Sequence, residues 1–377
     1  MSATAASTVT NVRADEWAIH DEVVRLREWG TDRAFPLVAD ARGPLTIGTG
    51  ERCGLVVRDP ARRASREHAH LERMHGRWCV VDRSSKNGLY IDGARREKAA
   101  LVPGTELGLG GGVTLVAESA RSIALRDVLA RMLGWAPAQA GTVDLALRAA
   151  RLAATRRGVL VLCGDQELVP LAVELHRHTL TDARPFVLCD PRRRTSQTSE
   201  HPERCVNDGR TALAEAPGGT VCLYEHRPPA DLVQLLEGLR QPDCQTQLVV
   251  CTTSAQAAEL FHPAPVVIPR LSSRPEELAR IIEAYEEDAA ARLGRSDFRL
   301  SPAEHLWLRT HAASSLADIQ RTTLRLAAIH IAGSISAGAL RVGISHTALI
   351  KWLRHRKFPR ALLPTAASVE AAAPRGS

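Results

Sequence analysis

The residues with the clearest chemical potential fall in one short stretch. Ser65 and Arg66 open the run Ser65-Arg66-Glu67-His68-Ala69, and Lys86 and Asn87 close the run Asp82-Arg83-Ser84-Ser85-Lys86-Asn87-Gly88. A hydroxyl, a fork of guanidinium donors and a point positive charge suit a dianionic phosphate, which needs several charge-assisted hydrogen bonds at once. Asn87, just before Gly88, is a turn residue whose side-chain amide can bond a partner's backbone. Upstream, Thr46-Ile47-Gly48 is followed by Thr49, and Arg52 offers a second guanidinium nearby. His68 reads first as a buried histidine that braces the loop and second as a ligand contact. Asn87-Gly88 alone would be an ordinary hairpin turn, and only the joint spacing of the runs sets the stretch apart.

These runs need strands to hold them. Gly54-Leu55-Val56-Val57, Trp78-Cys79-Val80-Val81 and Gly88-Leu89-Tyr90-Ile91 are short and β-branched or aromatic, with Gly, Asp or Ser between them. That pattern predicts a twisted antiparallel sandwich whose function sits on loops at one end. With Ile91-Asp92-Gly93, the spacing of these runs closely resembles a forkhead-associated (FHA) domain, placed at residues 20–118. The resemblance implies an all-β module that binds phosphothreonine in a protein of a Ser/Thr kinase pathway. It carries the binding role onto Ser65, Arg66, Lys86 and Asn87. The family usually has Arg directly after the Ile-Gly pair. Thr49 stands there in this chain, with Arg52 as the candidate replacement.

At 377 residues the chain has room for two or three domains, each with its own core. Only 4 of its 49 basic residues are Lys, a bias that suggests high-GC coding rather than chemistry. The eight cysteines are scattered, without a C-x-x-C pair and mostly in apolar runs, which predicts reduced cytosolic thiols rather than a disulfide frame or a zinc site. The fourteen histidines show close pairs only at i,i+2, as His68/His70 and His176/His178, a spacing that does not converge on a metal from a helix. Neither metal nor cofactor is expected. Met1 to Arg13 lacks an apolar core, and no run reaches the ~18–20 apolar residues of a membrane span. The expectation is a cytoplasmic chain with no membrane partner.

The distribution of charge is more telling than its sum. Residues 301–377 hold ten basic and three acidic residues, so their excess of seven is the whole +7 of the chain. No acid occurs between Asp318 and Glu370. A basic segment on a neutral body points to nucleic acid. Leu316, Ile319, Leu326 and Ile329 recur at helical spacing, predicting a helix that ends near Gly333, then a short helix at 336–342 and another at 346–356. Ala339, Val342, Gly343, Ile344, Ser345, Thr347 and Leu349 give this segment, 334–360, a resemblance to the helix-turn-helix of bacterial regulators. Gly343 supplies the turn and Ser345 the cap of the second helix. Ala348, Leu349, Trp352 and Leu353 are expected in the core. Arg341, His346, Thr347, Lys351, Arg354 and His355 are left for groove and backbone. The plainer reading is a basic surface helix in a small bundle.

Between 143 and 313 strand-like and helical runs alternate: Val159-Leu160-Val161-Leu162-Cys163, helix 167–179, Pro185-Phe186-Val187-Leu188, Thr220-Val221-Cys222-Leu223-Tyr224, helix 229–240 and Gln247-Leu248-Val249-Val250-Cys251. Such alternation predicts a doubly wound α/β sheet. Gly164 with Glu167-Leu168-Val169 and His176, Arg184-Pro185-Phe186-Val187, Ala214-Glu215-Ala216-Pro217-Gly218-Gly219-Thr220, Leu235-Leu236 and Ile268-Pro269-Arg270-Leu271-Ser272-Ser273-Arg274-Pro275-Glu276-Glu277 look like the AAA+ domain of sigma-54-dependent activators. Measured against that family the chemistry is missing. A P-loop needs glycines for close phosphate approach and a Lys-Ser/Thr pair, yet Gly164-Asp165-Gln166-Glu167 runs straight into the helix. The Walker-B strand ends Tyr224-Glu225, no Arg lies between Thr253 and Pro269, and Ala317 stands where a nucleotide-sensing Arg is expected. The loop between Cys189 and Ala214 lacks the signature that engages sigma-54. His176 reads as structural, and Arg192-Arg193-Arg194 as a solvated loop or a phosphate contact.

The sequence therefore predicts a multidomain chain: a flexible 1–19, the all-β FHA sandwich 20–118, a linker 119–142, a degenerate AAA+-like α/β domain 143–295, a helical lid-like subdomain 296–333, an all-α helix-turn-helix 334–360 and a disordered tail 361–377. Its expected function is that of a phosphothreonine-responsive, DNA-binding transcriptional regulator without enzymatic activity. Its partners would be a phosphothreonine protein, DNA and a second copy or an active sigma-54 activator. The rival is a signalling adaptor that recruits phosphorylated proteins without binding DNA, and a third reading is an ATPase with a displaced nucleotide site.

Overall fold

The computed structural model describes residues 21–38, 44–180, 183–192, 204–254 and 264–364. The expected flexible start at 1–19, Arg193 and Arg194, residues 255–263 of the segment lacking arginine fingers, and the tail from 365 lie outside the described residues. The chain divides into two compact units with separate cores, Met1–Asp127 with Ala136–Arg148, and Val128–Trp135 with Ala149–Ser377.

In the first unit, β1 (Val23–Glu28), β2 (Ala34–Pro36), β7 (Leu89–Ile91), β8 (Ala94–Arg95), β10 (Glu106–Leu109) and β11 (Val113–Ser119) form one sheet, ordered β2-β1-β11-β10-β7-β8. A second sheet, β4-β3-β5-β6-β9, contains β3 (Leu45–Gly48), β4 (Leu55–Val56), β5 (Ala69–Met74), β6 (Arg77–Asp82) and β9 (Lys98–Ala100). The period-2 alternation sets the faces: in β5, Ala69 and Leu71 are buried while His70 and Glu72 are half-buried on the other side. Leu26, Ile47, Leu71, Val80, Leu89, Leu107, Leu109 and Leu115 are fully buried between the sheets. Each such side chain contributes about 1.5–3 kcal/mol of burial. His75 and Gly76 at φ 51° and 79° close the two-residue β5–β6 hairpin, where mirror-image turns match strand twist.

The pairing departs from the expected antiparallel pattern in one place. β3 and β4 run parallel, with Ile47 opposite Leu55 and Gly48 opposite Val56. The loop 49–54 between them is long enough to carry the chain back without reversing it. Below the sandwich, Arg27 binds Glu118 at 2.7 Å and Asp144 at 2.5 Å, and Gly30 N–H donates to Asp144 at 2.7 Å. Glu118 and Asp144 hold the buried Arg27 guanidinium firmly charged against the opposing cost of burial. The segment 119–142, expected as a linker, contains α1 (Ala120–Leu133) and the start of α2 (Ala140–Arg156), both of which hold residues of each unit.

The second unit combines a parallel sheet with helices. β12 (Val159–Cys163), β13 (Phe186–Cys189), β14 (Arg204–Val206), β15 (Thr220–Tyr224), β16 (Gln247–Thr252) and β17 (Val266–Val267) are ordered β14-β13-β15-β16-β12-β17. Near-continuous apolar runs such as Val221-Cys222-Leu223 are buried on both faces, as strands of a helix-covered parallel sheet must be. β14 and β17 were not legible in the sequence, being three and two residues long. The helices are α3 (Leu168–Leu180), α4 (Gly209–Glu215), α5 (Leu232–Leu239), α6 (Leu278–Arg292), α7 (Pro302–His311), α8 (Leu316–Ala332), α9 (Ile335–Val342) and α10 (His346–His355). Trp307 of α7 meets Trp352 of α10 and Phe358 edge-on, with ring centroids 6.5 and 4.8 Å apart.

Candidate functional site

The loops of the first unit converge at one end of the sandwich. Thr49, Glu51, Arg52, Cys53, Ser65, Arg66 and Glu67 line a cleft of about 790 Å³ there. Four of the six residues singled out from the sequence share its wall; Lys86 adjoins it through Ser65, and Asn87 is tied to Arg63. The Ser65 Oγ accepts from the Lys86 N–H at 3.1 Å, and Thr49 N–H donates to the Ser65 carbonyl at 3.1 Å. The Arg52, Arg66 and Lys86 side chains are exposed and have no acidic partner among the described residues.

His68 is the brace. It is fully buried, its Nδ1 accepts from Ser65 N–H at 3.0 Å and its Nε2 faces the Gly88 carbonyl at 3.1 Å. A carbonyl only accepts, so the proton sits on Nε2. Burial pushes the His68 pKa down, against the opposing pull of Gly88, Asp82 and Asp59. The 58–64 loop is organised by Asp59, whose carboxylate accepts from the N–H groups of Ala61, Arg63 and Ala64 at 3.0, 2.5 and 2.6 Å. Those bonds, Ala64's foremost, hold its pKa below the usual range.

Asn87 does something the sequence did not suggest. Its Nδ2 donates to the Arg63 carbonyl at 2.8 Å, tying two loops together. Gly88 must be glycine: it sits at φ 81°, and a Cβ there would stand 2.5 Å from Arg95 Nε. Glu51, Cys53 and Glu67 of the cleft were missed, since nothing in their spacing distinguishes them. They became visible only when the 49–53 loop folded against 65–67. Glu67 lies 4.0 Å from Arg83.

In the second unit the residues compared with a nucleotide site lie where the chain leaves β12 (164–167), β15 (Tyr224 and Glu225) and β16, at the carboxyl ends of the parallel strands, where ligands bind in open α/β sheets. The side chains there are committed to one another. Asp165 pairs with Arg270 at 2.5 Å, Gln166 accepts from Leu316 N–H at 3.2 Å, and Glu167 pairs with Arg321 at 2.9 Å. Tyr224 is half-buried, and burial raises its pKa. Glu225 lies 3.5 Å from Thr252 Oγ1. His176 braces β15, with Nδ1 2.8 Å from Thr220 Oγ1 and Nε2 2.9 Å from the Arg184 carbonyl. Arg192 N–H donates to Asp190 at 3.0 Å.

The α9–α10 pair carries the remaining candidates. Gly343 at φ 69° ends α9, and Ser345 Oγ accepts from Ala348 N–H to cap α10. Arg341, His346, Thr347, Lys351 and Arg354 are exposed, while Leu349 and Leu353 are buried and Trp352 is half-buried. Ala348, expected in the core, is exposed. It lies in the first turn of α10, ahead of the Leu349–Leu353 stripe that packs inward. Arg356 instead reaches Asp318 with two bonds of 2.6 and 3.0 Å, and Arg325 lies 4.8 Å over the Trp352 ring.

Among the described residues, no three His, Cys, Asp or Glu side chains group so as to hold a metal, and no helix is long and apolar enough to cross a membrane. The described cysteines are free thiols, and all but Cys244 are buried.

Comparison with known proteins places the sandwich. Residues 45–110 match the FHA domain model, so this chain carries an FHA domain there. Among solved structures, the chain is similar to FHA-1 of Mycobacterium tuberculosis Rv1747, with 27% identity over 26% of this chain and 97% of that one and a TM-score of 0.22. It is also similar to the yeast Dun1 FHA domain, described in complex with a doubly phosphorylated (pT) peptide, at 25% identity over 26% of this chain and 73% of that one, TM-score 0.22. A third, at 22% identity over 25% of this chain and 93% of that one, TM-score 0.22, comes from work on phosphothreonine-dependent FHA domain interactions. No curated protein matches the chain.

Proposed function

We propose that this chain is a phosphothreonine-responsive, DNA-binding transcriptional regulator built on an AAA+-like frame that no longer hydrolyses nucleotide. The observation that carries the reading is the convergence of Thr49, Arg52, Ser65 and Arg66 on one cleft, with Lys86 and Asn87 beside it and three cations unpaired among the described residues. A phosphate entering there meets charge-assisted donors that no described acid pairs with, although Glu51 and Glu67 line the same cleft. The FHA likeness supports phosphothreonine as its source. Titration with a phosphothreonine peptide library and its unphosphorylated twin tests this, and equal affinity for both sinks it.

The rest of the reading concerns the second unit. The strand order supports the AAA+-like frame, while the loop after β12, which runs straight into α3 with Asp165, Gln166 and Glu167 engaged by protein partners, supports the loss of hydrolysis. Phosphate release that follows the pure protein and vanishes in Glu225→Gln would overturn it. The Gly343 turn, the Ser345 cap and the exposed Arg341, His346, Thr347, Lys351 and Arg354 support a helix-turn-helix that meets DNA. A single such element reads few base pairs, so a second copy, or an active sigma-54 activator, is the implied protein partner. A phosphorylated partner would act by shifting the population of assembled or DNA-competent states. The adaptor reading draws on Arg325 and Arg356, two basic residues that serve packing rather than an open surface. It prevails if full-length protein and a truncation after Gly333 bind genomic fragments equally.

A further inference from the structure

We propose that Cys53 is a positioning residue of the phosphate cleft, holding the main chain of Arg66 so that its guanidinium is presented where Thr49 offers no cation. This rests on the reading of the cleft as a phosphate site. Cys53 lines the cleft and is 8% exposed. Its Sγ donates to the Arg66 carbonyl at 3.0 Å, and Gly50 N–H donates to the same oxygen at 2.9 Å. Cys53 N–H in turn donates to the Gly50 carbonyl at 3.0 Å, so thiol and amide belong to one tight turn.

The glycines explain why the grip can be so close. A Cβ on Gly48 would stand 2.1 Å from the Arg66 carbonyl oxygen, and one on Gly50 would stand 3.0 Å from it. Bare backbone therefore closes on Arg66 from one side while the thiol closes from another. The Arg66 side chain itself has no acidic partner among the described residues. With its main chain fixed, the guanidinium loses less freedom on meeting an anion, which is the benefit of preorganisation.

The test uses the full chain, the tightest phosphothreonine peptide drawn from a degenerate library, and that peptide's unphosphorylated twin. Cys53→Ala removes the donor, Cys53→Val removes it while filling the space, and Cys53→Ser keeps a donor. We expect roughly five- to tenfold weaker phosphopeptide binding in the Ala and Val variants and near-complete rescue in Ser, the loss of one hydrogen bond's worth of orientation. In the double variant with Arg66→Ala, Cys53→Ala should add little, because its effect runs through Arg66. If a folded Ala or Val variant binds as wild type does, or if the two losses add fully, Cys53 is structural only and the proposal is overturned. If wild-type protein fails to distinguish the phosphorylated peptide from its twin, the phosphate reading itself falls, a result separable from either of those.

Discussion

His68 shows how one buried side chain fixes the loops of the cleft. Its two ring nitrogens join Ser65 and Gly88 only while the ring is neutral, since protonated Nδ1 can no longer accept from Ser65. Burial lowers its folded pKa, so the unfolded chain takes up a proton, from about pH 6.5 downward, that the folded domain resists. The His68 contribution is therefore complete above about pH 6.5 and is lost as pH falls toward the lower folded value. Thermal stability measured from pH 8 to 5 should decline below about 6.5, and His68→Gln should flatten that dependence. Two acids on the cleft work against an anion. Glu67→Gln should tighten phosphopeptide binding about two- to fivefold at low salt, with the gain fading as salt screens it. Arg66→Ala should weaken it by about 1.5–3 kcal/mol, the range for a hydrogen bond to a charged group. Fluorescence anisotropy at two ionic strengths checks both.

At the scale of elements, the turn between α9 and α10 rests on two local choices. Gly343 takes the left-handed conformation at φ 69°, and Ser345 satisfies an otherwise unpaired N–H of the first turn of α10. Ser345→Ala should cost about 1 kcal/mol of local stability, read as faster amide exchange in α10 than elsewhere in the second unit. The far end of α10 is held differently. Arg356 binds Asp318 in the first turn of α8, where Ser315 also caps the helix. Asp318 is 5% exposed, so Arg356→Ala leaves a buried carboxylate short of partners and should cost about 1–3 kcal/mol. Chemical denaturation of the full chain, with exchange mapped to α8 and α10, measures it. Retained protection in both helices would show that the Trp307–Trp352–Phe358 seam suffices alone.

For the molecule as a whole, charge is the property that matters. The excess of seven positive charges lies entirely in residues 301–377, so residues 1–300 are neutral. If that region meets DNA, its affinity depends on salt through counterion release. Lys351→Ala and Arg354→Ala should each reduce the log–log salt slope by about 0.9 per lost phosphate contact, measured on a bound genomic fragment. His346→Ala or Thr347→Ala should relax sequence preference more than it lowers general affinity, if those side chains meet base edges. A variant slope equal to the wild-type slope would place Lys351 and Arg354 away from the phosphates.

The sequence alone determined the features that depend on local chemistry. Short β-branched or aromatic runs marked β4, β6 and β7, apolar runs marked β12, β13, β15 and β16, and Gly333, Gly343 and Ser345 marked boundaries of α8, α9 and α10. The phosphate-suited residues were legible too, because hydroxyl, guanidinium and ammonium groups at a fixed spacing carry their chemistry wherever they fold. Tertiary structure decided what depends on distant segments meeting. The parallel β3–β4 pair, the short strands β14 and β17, and the Asn87 bond to Arg63 have no local signal, since their stability comes from neighbours far along the chain. The same holds for Cys53. Its place in the sequence is that of a small apolar residue, and only the folding of 49–53 onto 65–67 turns its thiol toward the carbonyl of Arg66.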